Sequence, residues 1–337
     1  MTKRIVALRR LKPHHLERLR EGFEVTYFEQ PEQQPEAVAA ALHRAHGLIG
    51  GKLQVDTAVL DAAPRLEAIA TISVGYDNLP VAELSRRGIL LTNTPDVLTE
   101  TTADTGFMLI MASARRLVEL ANRVREGRWT EHVGEPLFGH DVHGKTLGLV
   151  GLGRIGRAIA RRARGFNMRV LYSNASPKPE LEAEWGLQRR SFEQLLAESD
   201  FVCLTVPLTG QTERLIGYEQ CQAMKRSAFL INIARGRVVD EAGLIRALQD
   251  GLIAGAGLDV FEQEPLPADS PLLRMDNVVT LPHIGSATHE TRDAMARCAV
   301  DNLCQALRGE LPRDLVNPEA RPGGFGPSPA ESPTDAQ

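Results

Sequence analysis

Cysteine is scarce in this chain and nowhere paired. Cys203, Cys221, Cys298 and Cys304 form no CxxC motif and have no His-rich spacing. That argues against a structural metal site or a disulfide framework, so no metal is expected and a reducing cytoplasm fits best. Cys203 stands inside the apolar run Phe201-Val202-Cys203-Leu204, where a thiol is expected to act as a small core residue. An excess of positive charge is also missing: 39 Lys and Arg against 43 Asp and Glu leave a formal net charge of −4. No broad basic field therefore invites nucleic acid, and pairs such as Arg161-Arg162 and Arg189-Arg190 read as solvated helix faces. Long apolar runs are absent as well, none approaching the roughly 20 residues that cross a bilayer. The opening run Ile5-Val6-Ala7-Leu8 returns at once to Arg9-Arg10, which reads as a first strand and not as a signal peptide.

What is present is material for two cores. The chain has 337 residues, 43% of them hydrophobic and 24% charged, which suits two domains better than one. Short apolar runs alternate with helical patterns throughout, the mark of parallel sheets covered by helices and so of an α/β class. Strands are expected at Arg4–Leu8, Glu24–Tyr27, Gly47–Ile49, Ala68–Thr71 and Leu90–Asn93, a complete small unit. A second series runs from Thr146 to His283. Between them, Thr101–Glu126 reads as one long helix, and Glu290–Leu307 as another that leads back to the first unit. Two such connections predict a hinge with a cleft between lobes: residues 1–100 plus 288–317 as one domain, 101–287 as the other. From 318 to 337 Pro, Gly and Ser dominate, and that tail is expected to be disordered.

The second series opens with Thr146-Leu147-Gly148-Leu149-Val150, a buried strand, followed directly by Gly151-Leu152-Gly153-Arg154-Ile155-Gly156 and a helix over Arg157–Gly165. A GxGxxG between strand and helix is a dinucleotide-binding turn. Gly151 permits the tight turn, Gly153 lets backbone N–H groups approach a pyrophosphate, and Gly156 allows close helix packing. The next strand, Met168–Tyr172, should end beside the adenosine ribose. There Ser173-Asn174 replaces the acid that would accept from a ribose 2′-OH, and no acid occurs before Glu180. Without that repulsion, and with Lys178 nearby, a 2′-phosphate can be accommodated. NADPH is therefore the expected cofactor, NADH remaining usable, although the customary arginine is missing from this loop.

Further strands end in polar residues where a parallel sheet presents its carboxyl ends, the place where ligands collect. Arg235 follows one, Glu264 the next and His283 the last. Arg235 offers a planar fork for a carboxylate. His283 can exchange a proton near neutrality, and Glu264 can accept from its other ring nitrogen, fixing the tautomer. Together the three are equipped to reduce a 2-keto acid. His14, His15 and His289 are weaker proton donors; the first two open an exposed helix, and His289 sits where capping or surface roles are common.

Arg235 in an NxxRG setting, Glu264 in LDVFEQEP, His283 in PHIGSAT, the GLGRIG turn and Ser73-Val74-Gly75-Tyr76 resemble the D-isomer-specific 2-hydroxyacid dehydrogenase family. The likeness covers roughly residues 3–317. It is strongest toward the bacterial glyoxylate/hydroxypyruvate and 2-ketogluconate reductases, over Thr71–Asn78, Val97–Asp104 and His283–Arg292. The resemblance implies a Rossmann cofactor domain beside a flavodoxin-like substrate domain, both doubly wound parallel sheets. It implies hydride transfer from NAD(P)H to glyoxylate, hydroxypyruvate or 2-ketogluconate, with Arg235, Glu264 and His283 catalytic. Val74 and Gly75 would meet the substrate carboxylate, and Lys52 lies near where the family's cleft opens. Asp259 would hold the nicotinamide carboxamide, while Thr102, Arg154, Ile155, Pro207, Thr212, Ile233, Ala234 and Gly285 would line the cofactor. The arm carrying Trp129 would contribute to a homodimer contact, a local packing role being the alternative. A cofactor-sensing corepressor shares the fold, but the short tail and missing basic patch speak against it. Formate dehydrogenases carry Gln where Glu264 stands. A phosphite dehydrogenase would retain the Arg–Glu–His set and stays open.

Overall fold

The structure, a computed structural model, describes residues 2–320. The chain divides into two compact units, Met1–Val97 with Thr288–Gln337, and Leu98–Ala287. The first boundary thus falls at 97/98, three residues before the expected 100/101, because the linking helix begins at Thr99.

The first unit is built on strands β1 (Arg4–Leu8), β2 (Glu24–Phe28), β3 (Gly47–Gly50), β4 (Ala68–Thr71) and β5 (Leu90–Thr92). All pair in parallel. Their order is β2-β1-β3-β4-β5, the flavodoxin-like winding. β3 and β4 are buried at every position, as befits a sheet covered on both faces. Helices α1 (Pro13–Arg20), α2 (Pro35–Leu42), α3 (Thr57–Ala62) and α4 (Val81–Arg86) connect them. The C-terminal helix His289–Arg308 packs on the same sheet. Gly47 makes that possible: a Cβ there would sit 2.8 Å from Leu307 Cδ1. The tail expected from 318 begins as a 3-10 turn, Pro318–Ala320, with Ala320 buried; residues 321–337 lie outside the described residues.

The second unit starts with α5 (Thr99–Ala114), ten of whose residues are buried, and α6 (Leu117–Arg125). The single helix expected over Thr101–Glu126 is therefore two. Arg116 takes a left-handed φ of 51°, and the returning arm ends α5 from outside, His140 N–H donating to Ala114 O at 2.7 Å. Its strands are β6 (Thr146–Val150), β7 (Arg169–Ser173), β8 (Gln188–Arg189), β9 (Phe201–Leu204), β10 (Phe229–Asn232), β11 (Gly255–Leu258) and β12 (Val278–Thr280). They are all parallel in the order β12-β11-β10-β9-β6-β7-β8. That is the Rossmann winding with one strand added, its order reversing between β6 and β9. α7 (Arg154–Gly165), α8 (Pro179–Trp185), α9 (Phe192–Glu198), α10 (Tyr218–Ala223) and α11 (Glu241–Gln249) complete it. The His289–Arg308 helix of the first unit is then α12. Cys203 lies wholly inside this core, and burial pushes its thiol up to about 12. Arg161 and Arg162 are not simply solvated: they pair with Glu100 and Asp104, tying α7 to α5. No helix among the described residues is long and apolar enough to cross a membrane.

Candidate active site

The glycine turn follows β6, at the reversal of strand order. Gly151 has φ +95° and a Cβ there would meet Val206 and Thr205 at 3.0 and 3.1 Å, so both conformation and space require glycine. At Gly156 a Cβ would lie 2.6 Å from Gly151 O, which is the close helix packing the spacing predicts. Gly153 differs. It is exposed, and a Cβ there would meet no protein atom within 4 Å, so internal packing does not demand glycine at that position. α7 begins at Arg154, three residues before the expected Arg157, so Arg154, Ile155 and Gly156 form its first turn. The backbone N–H groups of a helix's first turn form the positive end of its dipole, where an anion is stabilised. Thr205 Oγ1 donates to Gly151 O at 2.8 Å, a brace that the run Phe201–Thr205 did not announce. These groups fit the pyrophosphate of a dinucleotide.

The loop after β7 is tied to that turn. Gly151 N–H donates to Ser173 O at 2.9 Å, and Leu152 N–H to Asn174 Oδ1 at 3.2 Å. Asn174 Nδ2 donates to Ser176 O at 3.0 Å, so this side chain spends both ends shaping the loop. Lys178 precedes α8 and donates its backbone N–H to Tyr172 Oη at 2.8 Å. Tyr172 also bonds Glu182, which, with burial as the larger cause, holds its hydroxyl above the usual tyrosine range. Glu182 is thereby committed within the protein.

The three candidate catalytic residues follow β10, β11 and β12, which are neighbours at one end of the sheet order. His283 Nδ1 and Glu264 Oε2 are 2.7 Å apart, while Glu264 Oε1 accepts from Phe261 N–H at 3.3 Å. His283 itself takes φ +55°, an uncommon backbone state for a non-glycine residue and one associated with functional sites. Arg235 Nη1 donates to Ala234 O at 2.8 Å. Its turn is braced by the buried Asn232, whose amide accepts from Ala234 N–H and donates to Arg235 O, both at 3.0 Å. The Arg235 and Glu264 segments are pressed together at Gly236, where a Cβ would stand 1.8 Å from the Phe261 carbonyl carbon and oxygen.

Asp259, 1% exposed, clamps the loop that carries His283. Oδ1 accepts from Ile284 N–H at 2.7 Å and Oδ2 from Gly285 N–H at 2.8 Å. Burial raises its carboxyl above the ordinary aspartate range, against the opposing pull of those two bonds. From the other side Thr102 Oγ1 donates to Gly285 O at 3.0 Å. Ile233 and Ala234 are buried, Ile233 packing where Gly106 leaves room on α5. Thr212 Oγ1 donates to Pro207 O at 2.6 Å. Asn232 and Thr205 are the supporting residues that sequence reasoning passed over as strand ends.

In the first unit, Val74 and Gly75 lie in the loop after β4. Asn93 Nδ2 donates to Val74 O at 2.8 Å, and neither Val74 nor Gly75 N–H donates to another group among the described residues. Lys52 is exposed, with φ +52°. His15 corrects an expectation: it is 3% exposed, not a surface residue. His14 Nε2 and Lys12 Nζ both lie 3.1 Å from Asp293 Oδ1, with His15 Nε2 3.5 Å away. His14, His15 and Asp293 have metal-ligand geometry. However, Lys12 N–H donates to His15 Nδ1, which leaves the ring proton on Nε2, and an ammonium already occupies Asp293. The cluster is built as an ion-pair network. His289 is the first residue of α12, and Thr288 is the cap, accepting from Thr291 N–H at 3.2 Å.

A cavity of about 280 Å³ lined by Ser113, Arg116, His140, Asp276 and Asn277 opens where β10, β11 and β12 begin, the opposite end from His283. None of the candidate site residues lines it.

Residues 107–285 match the model of the D-isomer specific 2-hydroxyacid dehydrogenase NAD binding domain. The chain is 56% identical over 306 residues to a glyoxylate/hydroxypyruvate reductase B of Yersinia pestis, covering 90% of this chain and 94% of that one. Among solved structures, a protein of Thermus thermophilus superposes with TM-score 0.85 at 45% identity, covering 93% of this chain and 99% of its own. The NADPH-dependent glyoxylate/hydroxypyruvate reductase of Sinorhizobium meliloti, solved with NADP and malonate, gives TM-score 0.85 at 37% identity, covering 95% and 98%.

Proposed function

The chain belongs to the D-isomer-specific 2-hydroxyacid dehydrogenase family, and from that premise we propose that it uses NADPH to reduce glyoxylate to glycolate, and hydroxypyruvate, with 2-ketogluconate as a further substrate, to the D-2-hydroxy acids. The observation that carries the reading is the 2.7 Å His283–Glu264 pair on loops next to that of Arg235, in the unit that holds the glycine turn. The names of the Yersinia and Sinorhizobium relatives support the substrate class and the cofactor. The absence of an acid at Ser173-Asn174, with Glu182 engaged by Tyr172, supports NADPH over NADH.

A dihydronicotinamide held by this unit would supply the hydride for the keto carbon. Arg235 binds the substrate carboxylate through its planar fork and draws electron density from the keto oxygen. Glu264 engages Nδ1 of His283, which leaves Nε2 to give its proton to the oxygen as it becomes a hydroxyl. Asp259 and Thr102 hold the His283–Gly285 loop so that this nitrogen keeps its direction. Val74 and Gly75 are assigned to the substrate carboxylate through their N–H groups, and Lys52 to a polyhydroxylated or charged tail. Gly151, Gly153, Arg154, Ile155 and Gly156 are assigned to the pyrophosphate; Pro207, Thr212, Ile233, Ala234 and Gly285 line the remaining dinucleotide.

The working form is proposed to be a cytoplasmic homodimer. Leu117, Val118, Val124, Trp129, Val133 and Phe138 are large apolar side chains left exposed along α6 and the arm after it, the kind of surface that supports an interface between copies. Light scattering on the purified chain checks this, a monomer at micromolar concentration contradicting it. For the chemistry, NADPH oxidation is followed with glyoxylate, hydroxypyruvate, 2-ketogluconate and pyruvate, and the product is resolved on a chiral column. Turnover of glyoxylate to glycolate and of hydroxypyruvate to D-glycerate is expected; no turnover, or L-glycerate, would refute the reading.

A further inference from the structure

The loop after β7 lacks the arginine that a 2′-phosphate usually meets, yet the reading above makes NADPH the cofactor. Resting on that reading, we infer that Arg189, reaching across from the neighbouring strand β8, is the residue that recognises the adenosine 2′-phosphate. β8 pairs with β7 so that Arg189 stands opposite Tyr172, the residue just before Ser173 and the loop. Its Nη2 donates to Asn174 O at 3.3 Å and to Ala175 O at 3.4 Å. The guanidinium is therefore laid against the very loop that Asn174 Oδ1 ties to the glycine turn.

The charge balance there singles this arginine out. Arg169 and Arg190 both pair with Glu198, and Arg190 bonds Gln188 as well. Among the described residues no carboxylate pairs with Arg189, and its Nε and Nη1 make no hydrogen bond. Two long bonds to neutral carbonyls position a cation without neutralising it. A phosphate monoester would replace them with shorter, charge-assisted bonds and could be gripped by two nitrogens at once. Lys178, the candidate favoured by sequence order, presents a point charge at the start of α8 and can add to the field, but it has no fork. The ligand class is a nucleotide carrying a phosphate on the adenosine 2′-oxygen.

The test uses two probes that differ by that phosphate alone, adenosine 2′,5′-bisphosphate and 5′-AMP, titrated calorimetrically into the full chain and its variants. The wild type should bind the bisphosphate more tightly. Arg189→Ala should cut that preference by about 10–100-fold, the size expected for losing hydrogen bonds between charged groups, while Arg189→Lys should restore part of it. In steady state, the KM for NADPH should rise and that for NADH should not. If the wild type fails to distinguish the two probes, the NADPH reading fails and this inference with it. If the wild type discriminates but Arg189→Ala discriminates equally, the inference alone is overturned. A loss seen only with Lys178→Ala would overturn it too, moving the role to that lysine.

Discussion

Replacing Glu264 by Gln isolates one quantity, the negative charge beside His283. The amide has nearly the same shape, and its oxygen can still accept from Nδ1, so the tautomer survives. What is lost is the attraction between a carboxylate and the ring when the ring is protonated. Two unit charges about 4 Å apart attract by ~1 kcal/mol in bulk water and ~4 kcal/mol near a protein surface of effective dielectric 20. His283 and Glu264 side chains are 48% and 34% exposed, so the pair sits between those limits, at ~2 kcal/mol. That corresponds to a fall of roughly 30-fold in kcat if the proton donor must be charged to act. A second, smaller loss arises because Oε1 also accepts from Phe261 N–H, and one amide cannot serve both as acceptor.

The assay is steady-state reduction of hydroxypyruvate by NADPH at neutral pH, with cofactor affinity measured separately by fluorescence titration. kcat should fall while NADPH binding stays. Because Glu264 is argued to work through His283, the double variant Glu264→Gln/His283→Ala should be no slower than His283→Ala alone. A Glu264→Gln enzyme within twofold of the wild-type kcat, or a double variant in which the two losses multiply, would refute the reasoning.

Four further outcomes are expected. His283→Ala should lower kcat by about 10²–10⁴ with NADPH affinity retained, and full activity in that variant would remove its assigned role. Gly236→Ala forces a Cβ onto the Phe261 carbonyl, an overlap no rotamer relieves; a loss of about 2–3 kcal/mol is expected, read by denaturant midpoint, and an unchanged midpoint would deny the close crossing. Burial, with His14, Lys12 and Arg297 adding repulsion and Asp293 opposing, lowers the His15 pKa below its ordinary 6.5. The folded state therefore takes up the proton less readily than the unfolded one, so stability present above pH 6.5 is lost as pH falls through the folded value. The melting temperature should drop over that window in the wild type and less steeply in His15→Gln, equal slopes counting against it. Asp259→Asn puts an amide where two N–H donors converge, leaving one without an acceptor; kcat should fall several-fold, and an unaffected kcat would show that the clamp is dispensable.

Much of this molecule is legible in the sequence because parallel strands, buried on both faces, appear as short unbroken apolar runs. Ala68–Thr71 and Thr146–Val150 are found where those runs stand. The glycine turn is legible for a related reason: Gly151 and Gly156 are demanded by local geometry within a few residues. Three things escaped. The break at Arg115-Arg116 is invisible because apolar residues continue through Leu117 and Val124, while the cause, His140 reaching back to Ala114, lies beyond the helix. The burial of His15 depends on α12, which arrives nearly 280 residues later with Asp293. The placement of Arg189 beside Asn174 is a matter of strand order, and spacing along the chain cannot show it.

The exposure of the His283–Glu264 pair has a consequence for how such a site must be made. A half-exposed dyad cannot gain much from low dielectric, because water screens the very attraction that orients it. Its direction has to come from the backbone instead, and the bonds around it are of that kind. Asp259 takes two N–H groups from the His283 loop, Thr102 holds the Gly285 carbonyl, and Asn232 closes the Arg235 turn. None of these three need touch substrate. Each fixes a loop that leaves the sheet at the end of a buried strand, so rigidity is borrowed from the core and delivered to groups that stay wet. Rate should then be more sensitive to these buried braces than to the exposed ion pairs elsewhere on the chain. Thr102→Val, which removes one hydroxyl from beneath the loop at almost constant volume, should cost more kcat than Arg18→Ala, which breaks the ion pair with Asp301.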